Sequence, residues 1–321
     1  MSDEEPIKLN DDTQELLDEV NRLYPTNVFV QFHGKKSGYV RHDQTEQMNL
    51  PGGLFITVTD LTEPNYTASH ELLHLLMVLR GFPEIFFELS LGTKELDEQM
   101  MIMATDLYNV VAHRVVVSEQ RKHNLINERI EQEYLKGILH TLTDEGEKAD
   151  DERTLRLLTV LDALVFYGDH LPKYEDQLKQ HYPLALTAAK KLYAKITEKP
   201  VDSPFGMRRM VVKLFRLFDE QMQDWGLPKL NNNEFTTLSP VLSKRQLRLH
   251  VDQLYDIYHS GMDSRETGRK AYVGLAKGDH QNSFVISAPK GDYSSNDMLK
   301  FYHESVETLL KNLNVPFIVR E

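Results

Sequence analysis

Between Ala68 and Leu79 every residue is apolar except Ser69, His70, Glu71 and His74. A helix with so few polar positions is greasy on most of its faces, so the chain must fold around it. Burying a carboxylate and two imidazoles there is costly unless one partner satisfies all three. A metal ion with its water is such a partner. On an α-helix His70 and His74 stand one turn apart on the same face, so both rings can reach one ion while Glu71 projects beside them. The competing reading is a helix whose His and Glu face solvent or pair with neighbouring polar groups.

The chain has no cysteine. That removes disulfide frameworks and thiolate metal sites, leaves His, Asp, Glu or water as ligands, and suits a reducing cytoplasm. A hydrolytic zinc site has three protein ligands and one open position, so a third ligand must come from elsewhere. The next long helical segment offers Asp106, Asn109 and His113 at i, i+3 and i+7, a narrow polar stripe among Met100, Met101, Met103, Ala104, Leu107, Val110, Val111 and Val115. Asp106 is the first choice for third ligand and His113 the second, with Glu95, Glu98 or Glu119 behind them. Whichever of the first two is not the ligand can orient one. The expected centre is thus one Zn2+ held by His70, His74 and either Asp106 or His113. Its bound water is acidified, and Glu71, the catalytic residue, passes the proton to a leaving amine.

A net charge of -12 and a pI near 5.6 argue against a broad electrostatic hold on nucleic acid or anionic lipid. The apolar run Leu72 to Leu79, broken only by His74, is far shorter than the ~20 residues of a membrane span. Met1 to Asn10 is acidic and reads as a short solvated lead without a secretory signal. These features point to a cytoplasmic protein with no nucleic acid, no membrane and no indicated oligomeric state.

Apolar spacing over Asp12 to Leu23 predicts an opening helix, and Asn27 to Phe32, Gly38 to Arg41 and Gly53 to Thr59 read as three strands. Helical patterns follow at Lys94 to Lys122, Ile126 to Leu142, Arg153 to Tyr167, Tyr174 to Ile196, Met207 to Trp225 and Lys244 to His259. The acidic stretch 144–152 reads as a solvated loop. Strands at Lys270 to Leu275 and Ser283 to Ser287, a helix from Asn296 to Leu313 and a strand at Val315 to Val319 make a β-β-α-β ending, able to join the first sheet or stand alone. The expected fold is α+β and mostly helical, with a small N-terminal sheet packed on the His-Glu-x-x-His helix. Its expected domains are a metal-binding core over 1–123, a helical region over 124–262 and a C-terminal segment over 263–321.

On His70-Glu71-Leu72-Leu73-His74 and the strand-turn-helix leading to it, the chain resembles a zincin metallopeptidase of the gluzincin kind. More specifically, it is similar to the ImmA/IrrE-type bacterial peptidases over about Phe55 to His113. That resemblance implies a zincin-like core, zinc on His70 and His74, Glu71 as general base and a protein substrate. Those families place a Glu in a Glu-x-x-Ala-Asn context where this chain has Asp106-Leu-Tyr-Asn109. An alternative function is a non-catalytic interaction or regulatory protein with a vestigial site, the ion enclosed by His70, His74, Asp106 and His113 together. Tyr108, His140, Tyr167 and His170 are available as oxyanion donors but read as packing or surface. The strand flanked by His33 and His42, or equally Gly53 to Thr59, could pair with an extended peptide.

Overall fold

A computed structural model describes residues 7–146 and 150–320. Residues 1–6 of the expected N-terminal lead and 147–149 of the acidic loop lie outside the described residues. The fold is α+β and mostly helical, 52% helix and 19% strand, with a small N-terminal sheet. Two compact units make it up: one runs to Arg80 and resumes over Ala112–Tyr193, the other comprises Gly81–Val111 and the chain from Ala194 on. This division is discontinuous in sequence and differs from the expected consecutive segments 1–123, 124–262 and 263–321. It follows from the long helix α3 (Lys94–Lys122), whose residues on either side of position 111 belong to different units.

The first unit opens with α1 (Asp11–Leu23), capped where the Asn10 side chain accepts from the Thr13 amide at 2.9 Å. Its sheet has the order β1-β3-β2. β1 (Asn27–Lys35) is parallel to β3 (Gly53–Asp60), and β2 (Thr45–Leu50) is antiparallel to β3. Leu54, Ile56 and Val58 alternate into the core, which gives β3 its clear strand pattern. After a turn, Pro64 at the first helical position starts α2 (Pro64–Leu79), with Tyr66, Ala68, His70, Leu72, Leu73 and Leu76 buried. The rest is helical: the end of α3, then α4 (Glu128–Thr141), α5 (Arg153–Tyr167) and α6 (Glu175–His181), and most of α7 (Pro183–Ile196).

Two local expectations are corrected here. Gly38 to Arg41 forms no strand, because the Ser37 and Gly38 amides donate to the side chains of Asp60 and Thr62 at 2.9 and 3.0 Å, not to a ladder. The third strand is instead Thr45–Leu50, whose run Thr-Glu-Gln-Met-Asn-Leu is mostly exposed and so carries no apolar alternation. The single helix expected over Tyr174 to Ile196 breaks at Tyr182, since the ring of Pro183 drives the preceding residue out of helical geometry.

In the second unit α8 (Pro204–Asp224) is followed by α9 (Asn232–Phe235). β4 (Ile85–Phe86) pairs with β6 (Thr237–Leu238), and β7 (Val241–Ser243) pairs in parallel with β11 (Ile318–Arg320). β5 (Leu89–Ser90), β8 (Tyr255–Ser264), β9 (Lys270–Ala276) and β10 (Asn282–Ser287) form an antiparallel sheet of order β10-β9-β8-β5. The helix expected over Lys244 to His259 is instead two short turns, α10 (Lys244–Leu247) and α11 (Val251–Leu254), leading into β8. Capping boxes at Ser243 and His250 each start a new turn, and buried Tyr255 and Ile257 alternate as a strand requires. Ser305 likewise caps a fresh helix, dividing Asn296 to Leu313 into α12 (Ser295–His303) and α13 (Val306–Asn312). The ending is therefore β-β-β-α-α-β, and its strands join sheets of the second unit rather than β1-β3-β2. Val251, Tyr255, Phe284, Val306, Leu309 and Leu310 form part of its core.

Among the described residues α3 is the one helix long and apolar enough to cross a membrane. Ala104, Leu107, Val110, Val111, Ala112 and Val116 on it are buried within the protein.

Candidate metal centre

Helical spacing puts His70 and His74 of α2 side by side, with their Nε2 atoms 3.2 Å apart. Two nitrogens bound to one tetrahedral zinc at about 2.0–2.1 Å stand roughly 3.3 Å from each other, so this separation fits a shared ion. His113, on α3, completes a triangle: its ring centre lies 4.8 Å from that of His70 and 5.2 Å from that of His74. Its Nε2 is buried without a hydrogen-bond partner, a state that polar atoms inside proteins rarely hold unless an ion or water meets them.

The far sides of the His113 and His70 rings are fixed. His113 Nδ1 lies 2.6 Å from Asp162 Oδ1, so its N–H donates to the carboxylate and the Nε2 lone pair faces the other imidazoles. His70 Nδ1 lies 3.4 Å from Gln120 Oε1, and the Gln120 amide donates to Tyr66 O and Ser69 Oγ at 3.0 and 2.9 Å. That orientation of the amide presents its oxygen to His70 and again leaves Nε2 as the acceptor. Burial lowers the basicity of His70 and His74 well below the ordinary imidazole range, and their mutual crowding with His42 and His113 adds to it. The neutral ring is the form that ligates a metal.

His42 forms the back wall. It stacks on His70 at 4.4 Å between ring centres, and one ligand atom each from His42, His70 and His113 lie within 4.8 Å of one another. Both of its nitrogens are already engaged, Nδ1 with Asp162 Oδ2 and Nε2 with Tyr66 Oη, each at 2.9 Å. His74 is not one of that group of three, although its Nε2 lies 3.2 Å from that of His70. Asp162 also accepts from Tyr134 Oη at 3.0 Å. Burial works to raise its pKa, but His113 and His42 outweigh that and hold its carboxyl well below the usual range.

Glu71 sits between the two histidines in sequence, with its carboxylate tied to β2. Thr45 Oγ1 donates to one oxygen at 2.7 Å and Gln47 Nε2 to the other at 2.8 Å. A carboxylate has about four acceptor positions, so one bond per oxygen fixes its direction and leaves it able to take a proton.

Of the expected metal ligands, His70, His74 and His113 come together. Asp106 is not among the clustered side chains: it precedes His113 by seven residues on α3, ~10 Å along a helix axis, and carries an interaction of its own. None of the four residues available as oxyanion donors joins the cluster, in keeping with their reading as packing or surface. Tyr108 donates to Pro83 O at 2.9 Å, Tyr167 to Glu131 O at 3.0 Å, His170 pairs with Glu131 and His140 stacks on Tyr39. β3 cannot receive a peptide, because β1 and β2 occupy both its edges; β2 is the open edge on the Glu71 side.

His42, Gln120 and Asp162 were not expected. Asp162 had a legible signal, as the one charged residue in the otherwise apolar run from Leu157 to Tyr167 interrupted only by Thr159. That is the same anomaly that exposes the α2 histidines. Comparison with protein-family models, with curated proteins and with solved structures gives no match to any of them.

Proposed function

We propose that this chain is a zinc-dependent peptidase, with His70, His74 and His113 as metal ligands and Glu71 as general base. The observation that carries the reading is the pair of Nε2 atoms 3.2 Å apart beside a buried, unpartnered Nε2 of His113. A zinc ion bound there supplies a Lewis acid for a carbonyl oxygen and a water acidified to near neutral pH. Three imidazoles leave one tetrahedral position open, as hydrolysis needs. Asp162 and Gln120 hold His113 and His70 in the ligating tautomer, while Thr45 and Gln47 aim the Glu71 carboxylate, which takes a proton and returns it to the departing amine. Exposed β2 offers main-chain groups to which an extended peptide can pair, next to the strand residues that hold Glu71. A cytoplasmic setting accords with a chain that contains no cysteine.

The position of His42 favours one other reading: a closed, non-catalytic centre in which His42 becomes a fourth ligand by giving up Tyr66 or Asp162. Metal analysis of tag-free protein together with Glu71→Gln separates the two. The peptidase reading expects about one zinc per chain in both proteins and a loss of about 100-fold or more in peptide cleavage in the variant. Undiminished cleavage in that variant overturns the mechanism, and a metal-loaded native protein that cleaves no peptide in a broad library supports the closed centre.

A further inference from the structure

The second unit holds a cavity of about 510 Å³ whose wall is cationic although the chain as a whole carries a charge of -12. Three arginines line it. Arg208 and Arg209 come from α8, whose first turn contains no acidic residue, and Arg320 comes from β11. Arg208 is almost fully buried. One arm of its guanidinium pairs with Asp279 and another donates to Ser283 Oγ at 3.3 Å, but its buried Nε has no partner. Asp279 thus neutralises one of the three charges and leaves a desolvated donor unspent.

The other two charges converge on Phe205. The Arg320 guanidinium carbon stands 4.3 Å from the centre of that ring and the Arg209 carbon 5.7 Å from it. Arg320 donates to Gln246 Oε1 at 3.1 Å, and among the described residues no carboxylate pairs with Arg209 or Arg320. An aromatic face can hold two guanidinium groups close together without neutralising them, which is an arrangement that an oxyanion completes. Val241, Leu242, Leu254 and Tyr255 give the wall an apolar stretch, with Gln253 and Lys277 as further polar lining, so the cavity offers a cationic rim beside an apolar surface.

We propose that this cavity binds a small organic oxyanion of about mononucleotide size. Arg209 and Arg320 clamp its phosphate or carboxylate over Phe205, and its apolar part lies against Val241, Leu242 and Tyr255. All of these residues belong to the second unit, so the proposal does not rest on the metal centre.

Isothermal titration of the full-length chain with adenosine 5′-monophosphate, pyrophosphate and citrate tests it, with Arg209→Ala and Arg320→Ala as variants. Both substitutions truncate side chains that keep some solvent exposure, and far-ultraviolet circular dichroism verifies their folding. The expected result is saturable one-site binding of at least one probe that weakens at least about tenfold in each variant and falls as salt rises. Binding of the phosphate probes alone assigns a phosphate ligand, and binding of citrate alone assigns a carboxylate one. The proposal is overturned if no probe binds at 10-millimolar order. It is equally overturned if binding survives unchanged in both variants.

Discussion

Asp162 accepts hydrogen bonds from His42, His113 and Tyr134, and this concentration of donors makes it the anchor of the imidazole cluster. Asp162→Asn keeps the shape but offers an amide where His113 needs a charged acceptor, so zinc affinity should fall by about 10–100-fold while the fold is retained. Competition with a chromophoric chelator measures it. In the same assay His113→Ala should lose the ion and Asp106→Ala should keep it; retention in the first and loss in the second would restore Asp106 as the ligand. The residue types of the centre were readable from sequence wherever a polar side chain interrupts an apolar helix, as at His70, His74 and His113. The choice between Asp106 and His113 was not readable, because both lie on the same stripe of α3 and only tertiary packing decides which turn of that helix meets α2. His42 gave no local signal at all: it lies in an irregular segment, where no periodicity marks which side chains turn inward.

That irregular segment is held by α4. The Val40 amide donates to Glu133 O at 3.1 Å, and Gly137, one turn later, sits so close that a Cβ there would stand 2.2 Å from Val40 O. Helix interiors ordinarily disfavour glycine, so the contact explains why one is present at this position. Gly137→Ala should push Val40 and with it His42 away from the cluster, destabilising the protein by about 1–3 kcal/mol despite the better helix propensity of alanine. Chemical denaturation gives the magnitude, and an unchanged or raised midpoint would refute the packing argument. At this scale the long helices were legible with their ends, since α3 and α5 run without Gly or Pro, with Gly92 just ahead of the first and Gly168 closing the second. Short elements were not, because β2 is exposed and polar, and the segment from Lys244 switches from helix to strand within a dozen residues through two successive caps.

At the scale of the whole chain, each unit has its own buried core and its own candidate ligand site, the imidazole cluster in the first and the cationic cavity in the second. Binding to the native state stabilises only what unfolds together with the site, by about 4 kcal/mol at a thousandfold excess over the dissociation constant. Scanning calorimetry should therefore resolve two transitions, of which zinc raises one and a chelator lowers the same one. A single transition that moves as a whole would mean that the two units unfold as one. The α+β class with a helical majority was readable from the alternation of period-two and helical patterns. The discontinuous partition was not, since nothing in the apolar pattern of α3 changes at residue 111.

That partition also governs when the centre can come into being on the ribosome. His42, His70 and His74 emerge early, but His113 follows a 31-residue excursion, Gly81–Val111, into the other unit, and Asp162 later still. About half the polypeptide must leave the exit tunnel before the imidazoles and their carboxylate anchor are all present, although α1 and the sheet that pack on α2 have already emerged by then.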